Sequence, residues 1–255
     1  MSAVFWITKV LTTGMGESAS DFLAVGVGPA PAVALSVGVL AAFLVAQYRS
    51  RRYVAGLYWG CVVMVSVVGT MVADFIHVIV GVPYVTSTVA FAVLLAAVFA
   101  VWYATERSLT FHDVRTRRRE TFYWLAVMAT FALGTAVGDL VASTSGIGYF
   151  DAGLLFALLI ALPAVGHRWF RLNGVAAFWC AYVVTRPLGA SFADWAAASP
   201  RHGGLGFGAG PVSIALLVVI AAFVGFLSLA RREGAPGRAR GVATESPVGE
   251  PTLRG

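Results

Sequence analysis

One frame recurs four times in this chain, and it restricts the possible folds more than any other feature. The segments FWITKVLTTGMGESASDF, YWGCVVMVSVVGTMVADF, YWLAVMATFALGTAVGDL and FWCAYVVTRPLGASFADW each read aromatic, Trp, nine residues, Gly, four residues, Asp, large apolar residue. The tryptophans are Trp6, Trp59, Trp124 and Trp179, the glycines Gly16, Gly69, Gly134 and Gly189, and the aspartates Asp21, Asp74, Asp139 and Asp194. Every Trp precedes its Asp by 15 positions without a gap, which makes the four segments copies of one structural unit.

Each copy needs apolar surroundings. Only 12% of the residues are charged and the mean hydropathy is +0.82, more apolar surface than one soluble core can hide. Eight stretches are long and apolar enough for spanning helices, at about 4–26, 29–48, 55–80, 84–105, 120–143, 150–168, 174–197 and 210–230. The first contains Lys9, Glu17 and Asp21 and lacks a basic leader, so it reads as a helix and not as a cleaved signal. The expected fold is all-α and integral to the membrane, with eight transmembrane helices as four parallel two-helix repeats. It occupies residues 1–232, with repeats at about 4–52, 55–119, 120–172 and 174–232. Residues 233–255, rich in Gly, Pro and charge, read as a disordered cytoplasmic tail.

The net charge of +6 is explained by topology and not by nucleic acid, because the arginines collect in alternate loops. Of the 18 basic residues, 15 follow the second helix of a unit, the exceptions being Lys9, Arg186 and Arg201. The positive-inside rule then places both termini in the cytoplasm and the Asp ends of the leading helices toward the outer face. Cys61 and Cys180 fall near the cytoplasmic side, where thiols stay reduced.

The frame and its four tryptophans resemble those of a bacterial multipass membrane family, an uncharacterised membrane-anchored protein family made of four tandem two-helix repeats of unknown function. The resemblance runs from Trp6 to about Ala230. It implies eight helices in a bacterial inner membrane and no particular activity. An even number of helices per unit makes the repeats parallel, so they close either as a ring of four or as two pseudo-twofold halves. The spacings between aspartates, 53, 65 and 55, favour two halves joined by the longer basic loop 106–120.

Fifteen residues of helix lift each Asp roughly 22 Å from its Trp, which is expected to anchor at the cytoplasmic interface. The carboxylates then stand at helix C-terminal ends, where the macrodipole disfavours negative charge, so capping does not explain them. They are either structural partners of buried cations or the lining of a polar site. Positions Trp+4, +7, +11 and +15 share one helical face, which adds Glu17 to the first unit's stripe and His77 to the end of the second. Lys9 and Arg186 lie inside spans and should meet carboxylates among Glu17, Asp21, Asp74, Asp139 and Asp194. A Schiff base on Lys9 is a weaker alternative. His77 with Asp74 is a candidate metal pair, against the plainer reading of His77 as a hydrogen-bonding residue. Pro187 should bend or break its helix. The repeat glycines, each followed four residues later by Ser20, Ala73, Gly138 or Ala193, read as close-packing points.

No nucleotide loop, zinc motif or nucleophile arrangement occurs, so no enzyme activity is expected, and no cofactor is indicated. The favoured function is a membrane transporter or channel for a small cation or cationic solute. Its expected ion-binding residues are Glu17, Asp21, Asp74, Asp139, Asp194, Lys9 and Arg186. The alternative is a non-transporting sensor, scaffold or accessory subunit with structural carboxylates. The expected partners are the lipid bilayer and a small cationic solute or metal ion, not nucleic acid; a homo-oligomer is compatible with the sequence.

Overall fold

The computed structural model describes residues 3–50, 54–110 and 116–233, and the expected tail lies outside them apart from Glu233. Among the described residues, nine α-helical segments make eight rods. They are α1 (Ala3–Val27), α2 (Pro29–Arg49), α3 (Ala55–Asp74), α4 (Tyr84–Glu106), α5 (Arg117–Ser145), α6 (Gly148–Leu159), α7 (Ala161–Trp169), α8 (Gly174–Ala197) and α9 (Ala209–Glu233). α6 and α7 are one rod broken at Ile160, where Pro163 has no N–H for the carbonyl of Leu159. α3 runs on into a π-turn at Phe75–Ile79 directly after Asp74. Among the described residues, six rods are long and apolar enough to cross a membrane. The other two, α1 and α8, carry the buried charges and lie against each other.

The leading helices α1, α3, α5 and α8 form a closed inner ring in that order, with α8 returning to α1. Each trailing helix lies outside, against the next unit's leading helix: α2 on α3, α4 on α5, α6 and α7 on α8, and α9 on α1. Ring closure by α9 is direct, since a Cβ on Gly210 would meet the Phe22 ring at 2.9 Å. This is a single ring of four. Loop length at 106–120 suggested two halves, but the length of a connection constrains assembly less than the contacts between units.

Those contacts repeat around the ring. At one end the aromatic residue before each Trp touches the next unit's Trp. Ring centroids lie 5.8 Å apart for Phe5 and Trp59, 5.9 Å for Tyr58 and Trp124, 6.2 Å for Tyr123 and Trp179, and 5.7 Å for Phe178 and Trp6. Trp59, Trp124 and Trp179 are buried. The tryptophans therefore help to close the ring, packing ring on ring against the neighbouring units.

Half-way up, each repeat glycine admits the Trp+7 residue of the next unit: Gly16 faces Ser66, Gly69 faces Phe131, Gly134 faces Arg186 and Gly189 faces Thr13. At Gly189 and Gly14 the backbones of α8 and α1 themselves touch, and Thr13 Oγ1 donates to the Thr185 carbonyl at 2.9 Å. Pro187 does not break α8, which is continuous through it. Its ring instead fills the space over Gly134 and Gly138, so that neighbouring packing holds the helix together.

Candidate functional site

The ring is filled at its middle and open at its Asp end. Its axis is lined in layers by the Trp+3, +7 and +11 positions. At the first, Lys9 lies with Val62, Val127 and Tyr182; at the second, Arg186 with Thr13, Ser66 and Phe131; at the third, Glu17 with Thr70, Thr135 and Ala190. All of these are buried. Lys9 reaches across the axis, its Nζ 3.8 Å from the Phe131 ring centroid and 4.0 Å from that of Tyr182. Arg186 is 1% exposed and directs Nη2 at Glu17 Oε2, at Thr70 Oγ1 and at Thr135 Oγ1, the last 2.7 Å away.

Above this plug lies a cavity of about 640 Å³. Glu17 forms part of its floor, and Asp21, Asp74, Asp139 and Asp194 line it, so every leading helix contributes its repeat carboxylate to one space. The reason is register: the same position on four parallel helices, closed in a ring, arrives at one height on the axis. Carboxylate oxygens of Glu17, Asp21 and Asp194 lie within 4.8 Å of one another. Glu17 and Asp21 are one turn apart on α1, and the close α1–α8 crossing brings Asp194 to them. Among the described residues, no hydrogen bond or ion pair holds the side chain of Asp74, Asp139 or Asp194. α1 extends to Val27 and α5 to Ser145, so Asp21 and Asp139 stand more than a turn inside their helices and not at the ends.

Of the residues singled out from sequence, the cavity thus gathers the five carboxylates and His77, and Arg186 lies directly beneath. Lys9 is elsewhere. Among the described residues it meets aromatic faces and no carboxylate, because Arg186 occupies the layer between it and Glu17. His77 lines the cavity, but both of its nitrogens have partners: Nδ1 is 3.2 Å from the Val82 carbonyl and Nε2 3.1 Å from Ser87 Oγ. The π-turn swings it over Tyr84, at a centroid distance of 4.3 Å, so it organises the loop before α4. Carboxylate oxygens converge most closely at Glu17, Asp21 and Asp194, and Asp74 and His77 line the same cavity.

Tyr84, Tyr149 and His202 also line the cavity, beyond the residues that the sequence singles out. A signal exists for two of them, since Tyr84 and Tyr149 each follow their repeat Asp by ten positions. His202 comes from the loop 198–208, which is tied back onto α8 through Leu205 N to the Trp195 carbonyl at 2.8 Å and Phe207 N to the Ala196 carbonyl at 3.1 Å. Apart from Ser20, the remaining wall is apolar, from residues such as Pro29, Val33, Met71 and Phe75. A mostly apolar chamber with a few charged groups is the form of a small-molecule site.

A family model described as Repeat of Unknown Function (DUF347) matches residues 4–53, 57–108, 122–173 and 177–233. No curated protein and no solved structure is significantly similar to the chain.

Proposed function

Since the chain belongs to this family of unknown-function repeats, its activity has to come from the cavity, and we propose a transporter for a small cation or cationic solute. The observation that carries this reading is the convergence of five carboxylates on one cavity with a single guanidinium below them. Carboxylates at membrane depth are costly unless they meet a cation or water, and three of these have no protein partner among the described residues. Aromatic and apolar walls suit an organic cation as well as a metal ion. The plug of Lys9, Phe131, Tyr182 and Arg186 closes the axis, so passage requires the leading helices to rearrange; an open pore does not fit.

We place the cavity at the outer face of a bacterial cytoplasmic membrane, with both termini cytoplasmic, because the arginines gather at the opposite end. An impermeant thiol reagent should therefore miss a cysteine placed at Arg117 in intact cells and label it after permeabilisation. Labelling in intact cells reverses the orientation.

The second reading, a non-transporting sensor or accessory subunit, draws on Arg186, whose three partners make it a well-held structural cation. The variant Asp74→Asn/Asp139→Asn separates the two. Neither residue holds Arg186, so the double variant should keep its thermal stability in detergent to within about 1 kcal/mol. Cation binding or flux should fall at least about tenfold, one lost charge contact of roughly 1.4 kcal/mol or more. Unchanged flux across protons, mono- and divalent metals and organic amines would overturn transport.

A further inference from the structure

Arg186 is held in an unusual way for a buried arginine. Its three Nη2 partners, Glu17, Thr70 and Thr135, are the Trp+11 residues of the other three units. The ring itself therefore presents one carboxylate and two hydroxyls to a single point on its axis, and the fourth unit fills that point with a guanidinium. Its own Trp+11 residue is Ala190, which offers no oxygen there. Space for the stem comes from Gly134, where any Cβ would overlap Arg186 Cβ and Cγ.

The guanidinium is also incompletely used. Among the described residues, Nε and Nη1 have no acceptor, and the side chain is 1% exposed and rises toward the cavity floor. Glu17 is shared: Oε2 accepts from Arg186, while the carboxylate also lies within the 4.8 Å cluster with Asp21 and Asp194. Any cation entering that cluster competes with Arg186 for the same group.

We propose that Glu17, Thr70 and Thr135 form an axial binding site for a monovalent, guanidinium-sized organic cation, and that Arg186 is its tethered resident. In the transport reading, on which only this last step rests, a cationic solute that reaches Glu17 through the cavity displaces Arg186 from it, and return of Arg186 drives the solute off. Coupling of site occupancy to the plug follows, since Arg186 shares its layer with Phe131 and lies one layer above Lys9. Threonine hydroxyls and one carboxylate suit a diffuse organic monocation, which keeps its charge while donating several hydrogen bonds.

The test is chemical rescue of Arg186→Ala by methylguanidine at millimolar concentration, read as thermal stability of the full chain in detergent, with the wild type as reference for any denaturing effect. The variant should be destabilised and then regain stability saturably, with an affinity at least about tenfold above that of the wild type, where the site is occupied, one charge-assisted hydrogen bond being worth roughly that factor or more. Sodium and tetramethylammonium, which cannot donate the same hydrogen bonds, should not substitute. Arg186→Ala/Glu17→Gln should show no rescue. If Arg186→Ala folds only when expressed and purified with methylguanidine, the site is equally supported. An Arg186→Ala chain that methylguanidine does not stabilise, folded or unfolded, overturns the proposal, as does equal rescue of the double variant. Flux assays stay independent: rescue without any flux leaves the site and removes the transport reading, and flux without rescue does the reverse.

Discussion

Gly189→Leu is expected to abolish folding of the ring. The side chain would start 2.9 Å from the Gly14 amide nitrogen and overlap Thr13 Oγ1, so most of what it meets is backbone that cannot rotate away. Overpacking usually costs about 1–3 kcal/mol when neighbours can shift, and here the α1–α8 crossing must separate instead, which puts the cost above that range. α1 and α8 also carry the buried Lys9, Glu17 and Arg186, so they depend most on their mutual contact. Gly38 on α2 is the proper control: it is exposed and helical, and a Cβ added there would have nothing within 4 Å. Gly81 is not suitable, because its φ of +75° strains any other residue regardless of space. Comparable yields and melting temperatures for Gly189→Leu and Gly38→Leu would show that the crossing is not what holds the ring.

Glu17→Gln is expected to be the most damaging change among the carboxylates. Among the described residues it leaves a buried guanidinium in direct contact with two threonine hydroxyls and no carboxylate, and breaking a buried pair in this way costs about 3–5 kcal/mol. Removing both charges should be far milder, so Glu17→Gln/Arg186→Gln is expected to recover most of the loss, giving a strongly non-additive cycle. Thr70→Val removes one hydroxyl acceptor and should cost only about 1–2 kcal/mol. The cycle is measured by thermal denaturation in one detergent. Additive losses for the two single changes would mean that Glu17 and Arg186 do not stabilise each other.

The two predictions differ in how legible their residues are in the sequence. Gly189 can be singled out there, because a glycine at a fixed offset from Trp in four copies marks a close approach whatever the partner. Its partner cannot. Sequence suggests contact between small-residue steps, whereas the structure sets each repeat glycine against the Trp+7 residue of the next unit, a relation that depends on the handedness of the ring. Glu17 and Arg186 are each expected to meet some opposite charge, and they meet each other.

What the sequence determined by itself was whatever follows from local chemistry and period: eight helices, their bounds to within a few residues, four parallel units, and aspartates at one height. Hydrophobic length and a 15-residue spacing are properties of a single segment, and no neighbour can alter them. The closed ring decided the rest. It turned the tryptophans inward because aromatic partners from adjacent units were available, and it carried α8 unbroken through Pro187 because α5 supplies glycines to receive the ring. It separated Lys9 from the carboxylates because Arg186 from another unit lies between them. Each of these is a contact between residues far apart in the chain, chosen by geometry that exists only once all four units have met.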